Sequence, residues 1–200
     1  MKKISKINLD ASLLNTELRK EKAIICANRL LTIMQSNQFR DMILNMDRNY
    51  WLKGENGLDH YSNLEIYNLL MSGAEEWNGI VDYEIDLVVD DYKKWWSKVK
   101  GYMIPGKKTV YVNTKFFDTM SKMKVCSNFG HEWCHTMGAR HPKGKFLRLS
   151  FAYFMNTVIE KLYNEFFQGW EERQVVTLKK YYKRRWYTLW LVKHEYVIRE

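Results

Sequence analysis

The chain has 200 residues, 46% of them apolar and 28% charged, which is typical of a soluble globular protein of one compact domain. Its three scattered cysteines argue against a disulfide framework, and its two prolines argue against linkers or disordered tails. The basic N-terminus has no apolar run behind it, and no uncharged apolar stretch reaches about 18 residues. We therefore expect no signal peptide and no transmembrane segment, and hence a cytoplasmic protein.

The first part of the chain predicts helices. Apolar residues at helical spacing predict an amphipathic helix over residues 10–35 and a shorter one over residues 38–46. Ser62 and Glu65 have the spacing of a capping box, in which each side chain bonds to the backbone of the other residue. This box predicts a helix over residues 63–76.

The middle of the chain adds two predicted strands. Apolar and polar residues alternate over residues 81–89, and a β-branched run covers residues 109–113. Between them we predict a short helix or turn over residues 90–99 and a loop over residues 102–106. Three further helices are predicted over residues 114–123, 126–138 and 147–170.

Three of the five histidines fall within eleven residues, in the pattern H-E-x-x-H-x-x-G-x-x-H. On a helix, His131 and His135 project from the same face one turn apart, a spacing that allows both imidazoles to bind one zinc ion. Gly138 accepts the left-handed conformation that ends a helix, so His141 can return to the metal as a third ligand. Glu132 lies beside the first ligand and can act on a water molecule there. The pattern predicts a catalytic site with an open fourth position.

This pattern resembles the zinc signature of the metzincin metallopeptidases, and the resemblance extends over roughly residues 80–165. It implies an α+β, helix-rich, zincin-like domain with a small sheet next to the active-site helix, one catalytic Zn²⁺ and a protein or peptide substrate. Zinc would activate water and polarise the scissile carbonyl, with Glu132 as general base and later as proton donor to the leaving amine. Residues 110–113 and 138–142 also resemble short peptidases predicted in bacteriophage genomes.

The resemblance assigns three further features to the cleft. A strand before the active-site helix forms the rim, where substrate adds as an antiparallel strand; here it corresponds to Val110, Tyr111 and Val112. A methionine lies in a tight turn beneath the zinc, and a tyrosine supports the oxyanion; the candidates are Met155 and Tyr153. The sequence around both predicts helix, so Met155 as ordinary core and Tyr153 as a buried tyrosine that only satisfies its hydroxyl stay open as alternatives.

The basic residues concentrate at the end of the chain. Residues 173–200 hold eight basic and two acidic residues, which is +6 of the net charge of +9, interleaved with tyrosine and tryptophan. This segment fits nucleic acid, a membrane surface or an acidic protein partner, or simply a last helix or strand with solvated cations. We predict a single domain over residues 1–172, with N-terminal helices over 1–78 and a catalytic core over about 80–170.

Three functions are compatible with these features. The first is a zinc endopeptidase that cuts a specific protein inside the cell or within a phage particle. The second is a non-catalytic structural or assembly protein, such as a phage virion component, on a metallopeptidase scaffold. The third is a nucleic-acid-binding module that uses residues 173–200 and carries an incidental metal site.

Overall fold

The computed structural model describes residues 3–54, 57–77, 79–104, 106–144 and 148–169. The chain divides into two compact units, Met1–Tyr163 and Asn164–Glu200. In the second unit the description begins with a short π-helix, Asn164–Gln168. The basic segment predicted over residues 173–200, together with the boundary predicted before it, lies outside the described residues.

Side-chain caps determine where the N-terminal helices begin. The hydroxyls of Thr16 and Ser36 accept hydrogen bonds from backbone N–H groups in the first turns of two successive helices. The capping box of Ser62 and Glu65 is confirmed, since both of its reciprocal hydrogen bonds form. The four helices of this part are α1 (Glu17–Gln35), α2 (Asn37–Leu44), α3 (Arg48–Trp51) and α4 (Asn63–Ser72).

Four strands form one mixed sheet in the order β1-β2-β4-β3. β2 pairs in parallel with β1 on one side and with β4 on the other, and β3 pairs antiparallel with β4. β4 is therefore an inner strand, and β3 forms one edge of the sheet. The strands are β1 (Lys6–Asp10), β2 (Glu84–Tyr92), β3 (Gly101–Met103) and β4 (Thr109–Asn113).

The remaining helices of the first unit follow β4 and pack around one core. They are α5 (Thr114–Phe117), α6 (Lys122–Thr136) and α7 (Phe151–Tyr163). α6 lies against both α7 and α1, and it also contacts the sheet at β3 and β4. Alternate residues of β2 are buried, as expected for a strand with one face on the core. The interior includes the fully buried side chains of Trp133 and Phe129 on α6.

In the first half of the chain, two predicted helix boundaries are wrong and one strand was not predicted. The helix predicted over residues 10–35 begins only at Glu17, because Thr16 caps it; Asp10 is the last residue of β1, and a turn joins the strand to the helix. β1 pairs with a strand almost eighty residues further on, so no local pattern reveals it. The helix predicted over residues 63–76 ends earlier, because Gly73 adopts a left-handed conformation at its C-terminus.

Further corrections concern the region around α6. The short helix or turn predicted over residues 90–99 and the loop predicted over 102–106 both contain strand, because β2 continues to Tyr92 and Gly101–Met103 is β3. Ser121 caps α6, so the helix begins at Lys122 rather than near residue 126, and the helix predicted over 114–123 shortens to α5. The helix predicted over residues 147–170 begins at Phe151.

The described chain is thus a helix-rich α+β protein with a small mixed sheet. This confirms the predicted fold class, α+β and helix-rich with a small sheet. Within it, no helix is both long enough and apolar enough to cross a membrane.

Candidate metal centre

Helix α6 and the turn after it bring the three histidines together. His131 and His135 lie on α6 one turn apart. The helix ends at Thr136, and Gly138 then takes a φ of +94°, a value that glycine adopts without strain. The Ala139 N–H still donates to the carbonyl of Cys134 at 3.0 Å, so the chain turns back tightly on the helix end. This reversal carries His141 to the two helical histidines.

The three imidazoles form one compact cluster. One ring nitrogen from each of His131, His135 and His141 lies within 4.8 Å of the others. The Nε2 atoms of His135 and His141 are 3.1 Å apart, close to the separation of about 3.3 Å expected for two nitrogen ligands of a tetrahedral zinc. The three predicted ligands therefore meet in space, and the cluster has the size to hold one metal ion.

Hydrogen bonds at the opposite ring nitrogens orient two of the histidines. Nδ1 of His135 lies 2.9 Å from the carbonyl oxygen of Ala139. A carbonyl only accepts, so this Nδ1 carries the proton and Nε2 presents its lone pair to the cluster. Nδ1 of His141 lies 2.8 Å from the hydroxyl of Ser150, which is fully buried. Such contacts behind a ligand fix the ring and its tautomer in metal sites.

His131 is held by the start of α7. Its Nδ1 lies 3.0 Å from the side-chain amide of Asn156, and its ring also hydrogen-bonds to the backbone of Ala152. The Asn156 amide is fixed in turn, because its Oδ1 accepts from the Ser127 hydroxyl at 2.8 Å. α7 thus supports the centre without supplying a ligand to it.

Burial keeps the three histidines neutral. It lowers the pKa of His131 to about 3, with a smaller contribution from the other two histidines. It lowers the pKa of His141 to about 4, assisted by His135, and it also lowers the pKa of His135 itself. All three rings are therefore neutral at neutral pH, which is the protonation state that a metal ligand requires.

Glu132 follows His131 on α6 and is not a member of the histidine cluster. Its side chain is buried, and its Oε1 accepts a hydrogen bond from the Asn128 amide at 3.2 Å. Burial raises the pKa of Glu132 to about 7, and the Asn128 hydrogen bond opposes that shift. A carboxyl with this pKa exchanges its proton near neutral pH, as a general acid–base group must.

Tyr153 lies at the centre, whereas Met155 does not form the predicted turn. The ring centroid of Tyr153 is 4.8 Å from that of His131 and 5.2 Å from that of His141. Met155 is fully buried within the continuous helix α7. The methionine turn implied by the resemblance is therefore wrong at this position, and Met155 is a core residue of the helix.

The predicted rim strand is also corrected. Val110, Tyr111 and Val112 belong to β4, whose two sides are occupied by β2 and β3. Its backbone groups are already paired, so a substrate strand has no place to add there. Among the described residues, the sheet ends on this side at β3, which therefore offers a free edge, and a Cβ built on Gly101 there would lie 2.7 Å from the Asn128 side chain.

Sequence reasoning missed the residues that support the centre. Asn128 stands four residues before Glu132, a spacing that places both side chains on one face of a helix. This spacing is the signal in the sequence that could have identified Asn128 as a partner of Glu132. Ser150 and Asn156 reach the histidines only because α7 packs against α6, and nothing in their local sequence indicates this.

Comparison with models of protein families, with characterised proteins and with solved structures finds no match to this chain. Its function must therefore be argued from the centre itself.

Proposed function

We propose that this protein is a zinc-dependent endopeptidase. The observation that carries the proposal is the convergence of three neutral imidazoles beside a buried carboxyl whose pKa is raised to about 7. Three nitrogen ligands, with no fourth protein ligand among the described residues, are typical of catalytic rather than structural zinc.

The residues divide into ligands and a proton carrier. His131, His135 and His141 would hold the ion, and zinc bound there would activate water and polarise the scissile carbonyl. Oε1 of Glu132 is engaged by Asn128, so Oε2 is the atom that accepts the proton from water and returns it to the leaving amine. The ring of Tyr153 packs on two of the ligands, a position from which its hydroxyl can support developing negative charge.

A substrate peptide is assigned to the free edge of β3. Edge strands offer unpaired N–H and C=O groups to which an extended peptide can add. Gly101 on this strand packs against Asn128, which in turn contacts Glu132, so a peptide on this edge runs close to the carboxyl. The proposed cleft rim is thus β3, whereas the sequence predicted the strand that is now β4.

The Glu132→Gln variant tests the proposal, because it keeps the shape of the side chain and removes the proton carrier. Zinc content by elemental analysis should be unchanged, whereas cleavage of a peptide library, followed by mass spectrometry, should fall about 10²- to 10⁴-fold. His135→Ala serves as the control that loses zinc as well. Equal cleavage by parent and Glu132→Gln, or a zinc-loaded parent without turnover, would refute the endopeptidase; the second result is the one a structural or assembly protein gives.

A further inference from the structure

An uninterrupted basic segment flanks the edge of the sheet. We name residues 93–108 the lysine strap; it contains six lysines and no acidic residue, a formal charge of +6. The strap runs from the end of β2 through β3 to the start of β4, and the structure describes all of it except residue 105. All six lysines are exposed; they are Lys93, Lys94, Lys98, Lys100, Lys107 and Lys108.

The strap also exposes large apolar side chains. Trp95 is 60% exposed and Trp96 is 81% exposed, far more than is usual for tryptophan in a folded protein. Lys93 Nζ lies 4.6 Å from the centre of the Trp95 ring, and Lys94 Nζ lies 6.0 Å from that of Trp96. Exposed rings beside cations favour a partner that offers both apolar and anionic groups.

Within the described part of the chain, none of the six strap lysines forms an ion pair with a carboxylate. The nearest acidic residue before the strap in sequence, Asp91, is engaged by Arg19 at 2.7 Å. Lys108 interacts electrostatically with Asp10 without forming an ion pair, and the other strap lysines have no carboxylate in ion-pair contact among the described residues, so the strap keeps a positive field that can attract an anionic partner.

The strap reaches the candidate metal centre. Gly101, in the middle of the strap, packs against Asn128, the hydrogen-bond partner of Glu132. Tyr92, just before the strap, donates a hydrogen bond to the Val99 carbonyl at 3.4 Å and interacts electrostatically with Glu132. Lys100 directly precedes Gly101 and Lys98 stands two residues earlier, so both lysines belong to the segment that leads into this edge.

We propose that the strap selects acidic polypeptides, which makes acidic segments the substrate class of the centre. That the acidic segments are substrates rests on the proposed endopeptidase, whereas their binding to the strap does not depend on cleavage. A polypeptide is favoured over a lipid surface or a nucleic acid, because only a polypeptide backbone can pair with the free edge of β3. Its acidic side chains would neutralise the lysines while apolar ones cover the exposed tryptophans.

Binding is best measured in the Glu132→Gln background, where no peptide is cut. The probes are a labelled peptide that mixes Asp and Glu with apolar residues, and the same peptide with Asn and Gln in place of the acids. Fluorescence anisotropy should show tighter binding of the acidic peptide, with an affinity that falls as salt rises. The double variant Lys98→Glu/Lys100→Glu should weaken it about tenfold.

A matched double variant, Lys20→Glu/Lys161→Glu, makes the same change of charge on helices α1 and α7 and should bind the acidic peptide like the parent. Equal affinity for acidic and neutral peptides, or equal loss in both double variants, would overturn the inference. So would strap-dependent binding of anionic lipid vesicles or single-stranded DNA in the absence of peptide binding.

The two proposals fail separately. Strap-dependent binding of the acidic peptide without cleavage by the parent removes the endopeptidase and keeps the acidic partner. Cleavage of neutral and acidic peptides at equal rates keeps the endopeptidase and removes the selection by charge.

Discussion

Burial shifts the pKa values of the histidines and of the carboxyl of the candidate centre in opposite directions. Burial disfavours the charged form of each group, so it lowers the pKa of His131 to about 3 and raises the pKa of Glu132 to about 7. The imidazoles are thereby ready to bind a cation without first releasing protons. The carboxyl, in the same surroundings, becomes able to exchange a proton at neutral pH.

A second buried carboxyl lies on the far side of α6. Glu75 is fully buried, and its Oε1 accepts from the Asp86 N–H at 3.1 Å and from Trp133 Nε1 at 3.2 Å. Its Oε2 has no hydrogen-bond partner among the described residues. Burial therefore raises the pKa of Glu75 above its ordinary value.

Glu75→Gln should make the protein more stable at neutral pH. Because the folded-state pKa is raised, the contribution of this carboxyl to stability is fully present below its unfolded pKa of about 4.5 and is lost as pH rises through the folded value. Gln keeps the acceptor oxygen and stays neutral, so its advantage over Glu should grow with pH and vanish near pH 4. Thermal unfolding followed by circular dichroism over this range measures it, with the exposed Glu21→Gln as control. An advantage independent of pH would contradict the assignment.

At the scale of elements, the centre depends on how α6 ends. The turn that follows the helix lies close to the loop before α4: a Cβ built on Gly57 would lie 2.0 Å from the Gly138 carbonyl oxygen and 3.3 Å from the Arg140 nitrogen. Arg140 also donates to the His135 carbonyl at 3.0 Å and pairs with Glu76 at 2.6 Å. The position of His141 is therefore set by contacts to a distant loop as well as by its own helix.

Gly57→Ala tests this dependence. A Cβ at this position clashes with the backbone of Gly138, which cannot move without shifting His141. We expect zinc affinity, measured by competition with a chelator, to fall about 10- to 100-fold, as it does when the contacts behind a ligand are disturbed. Gly106→Ala is the control: its φ of +74° imposes a strain of about 1 kcal/mol, but no atom lies within 4 Å of the added Cβ. Equal zinc affinity in both variants would show that the loop does not position the turn.

At the scale of the whole first unit, one arginine connects three elements. Arg19 on α1 forms two bonds of 2.7 Å to Asp118, just after α5, and a third of 2.7 Å to Asp91 on β2. The Asp91 side chain is only 2% exposed, and Asn15 also donates to it. This network holds α1 to the end of the sheet from which the lysine strap departs.

Arg19→Met should destabilise the protein by about 3 kcal/mol, because it leaves the Asp91 carboxylate buried without its cation. Lys20→Met, at the next position, removes an exposed pair with Glu17 and should cost less than about 0.5 kcal/mol. Urea unfolding of both variants beside the parent measures the difference. Similar midpoints for the two variants would mean that the arginine network contributes little to stability.

The sequence by itself determined what depends on neighbours along the chain. His131 and His135 share a face because of helical spacing, Gly138 ends the helix because glycine accepts positive φ, and Ser62 caps α4 through a bond three residues away. Each of these features is complete within about ten residues, so its pattern is visible before folding.

Only the tertiary structure decided the features that join distant segments. β1 and β3 are short strands that exist through their partners in the sheet, and the position of β4 between β2 and β3 leaves Val110–Val112 no open side for an added strand. Ser150 and Asn156 reach the histidines because α7 packs on α6, and Gly101 comes near Asn128 because β3 lies beside the same helix. Contacts of this kind depend on packing between elements, which leaves no period or spacing in the sequence.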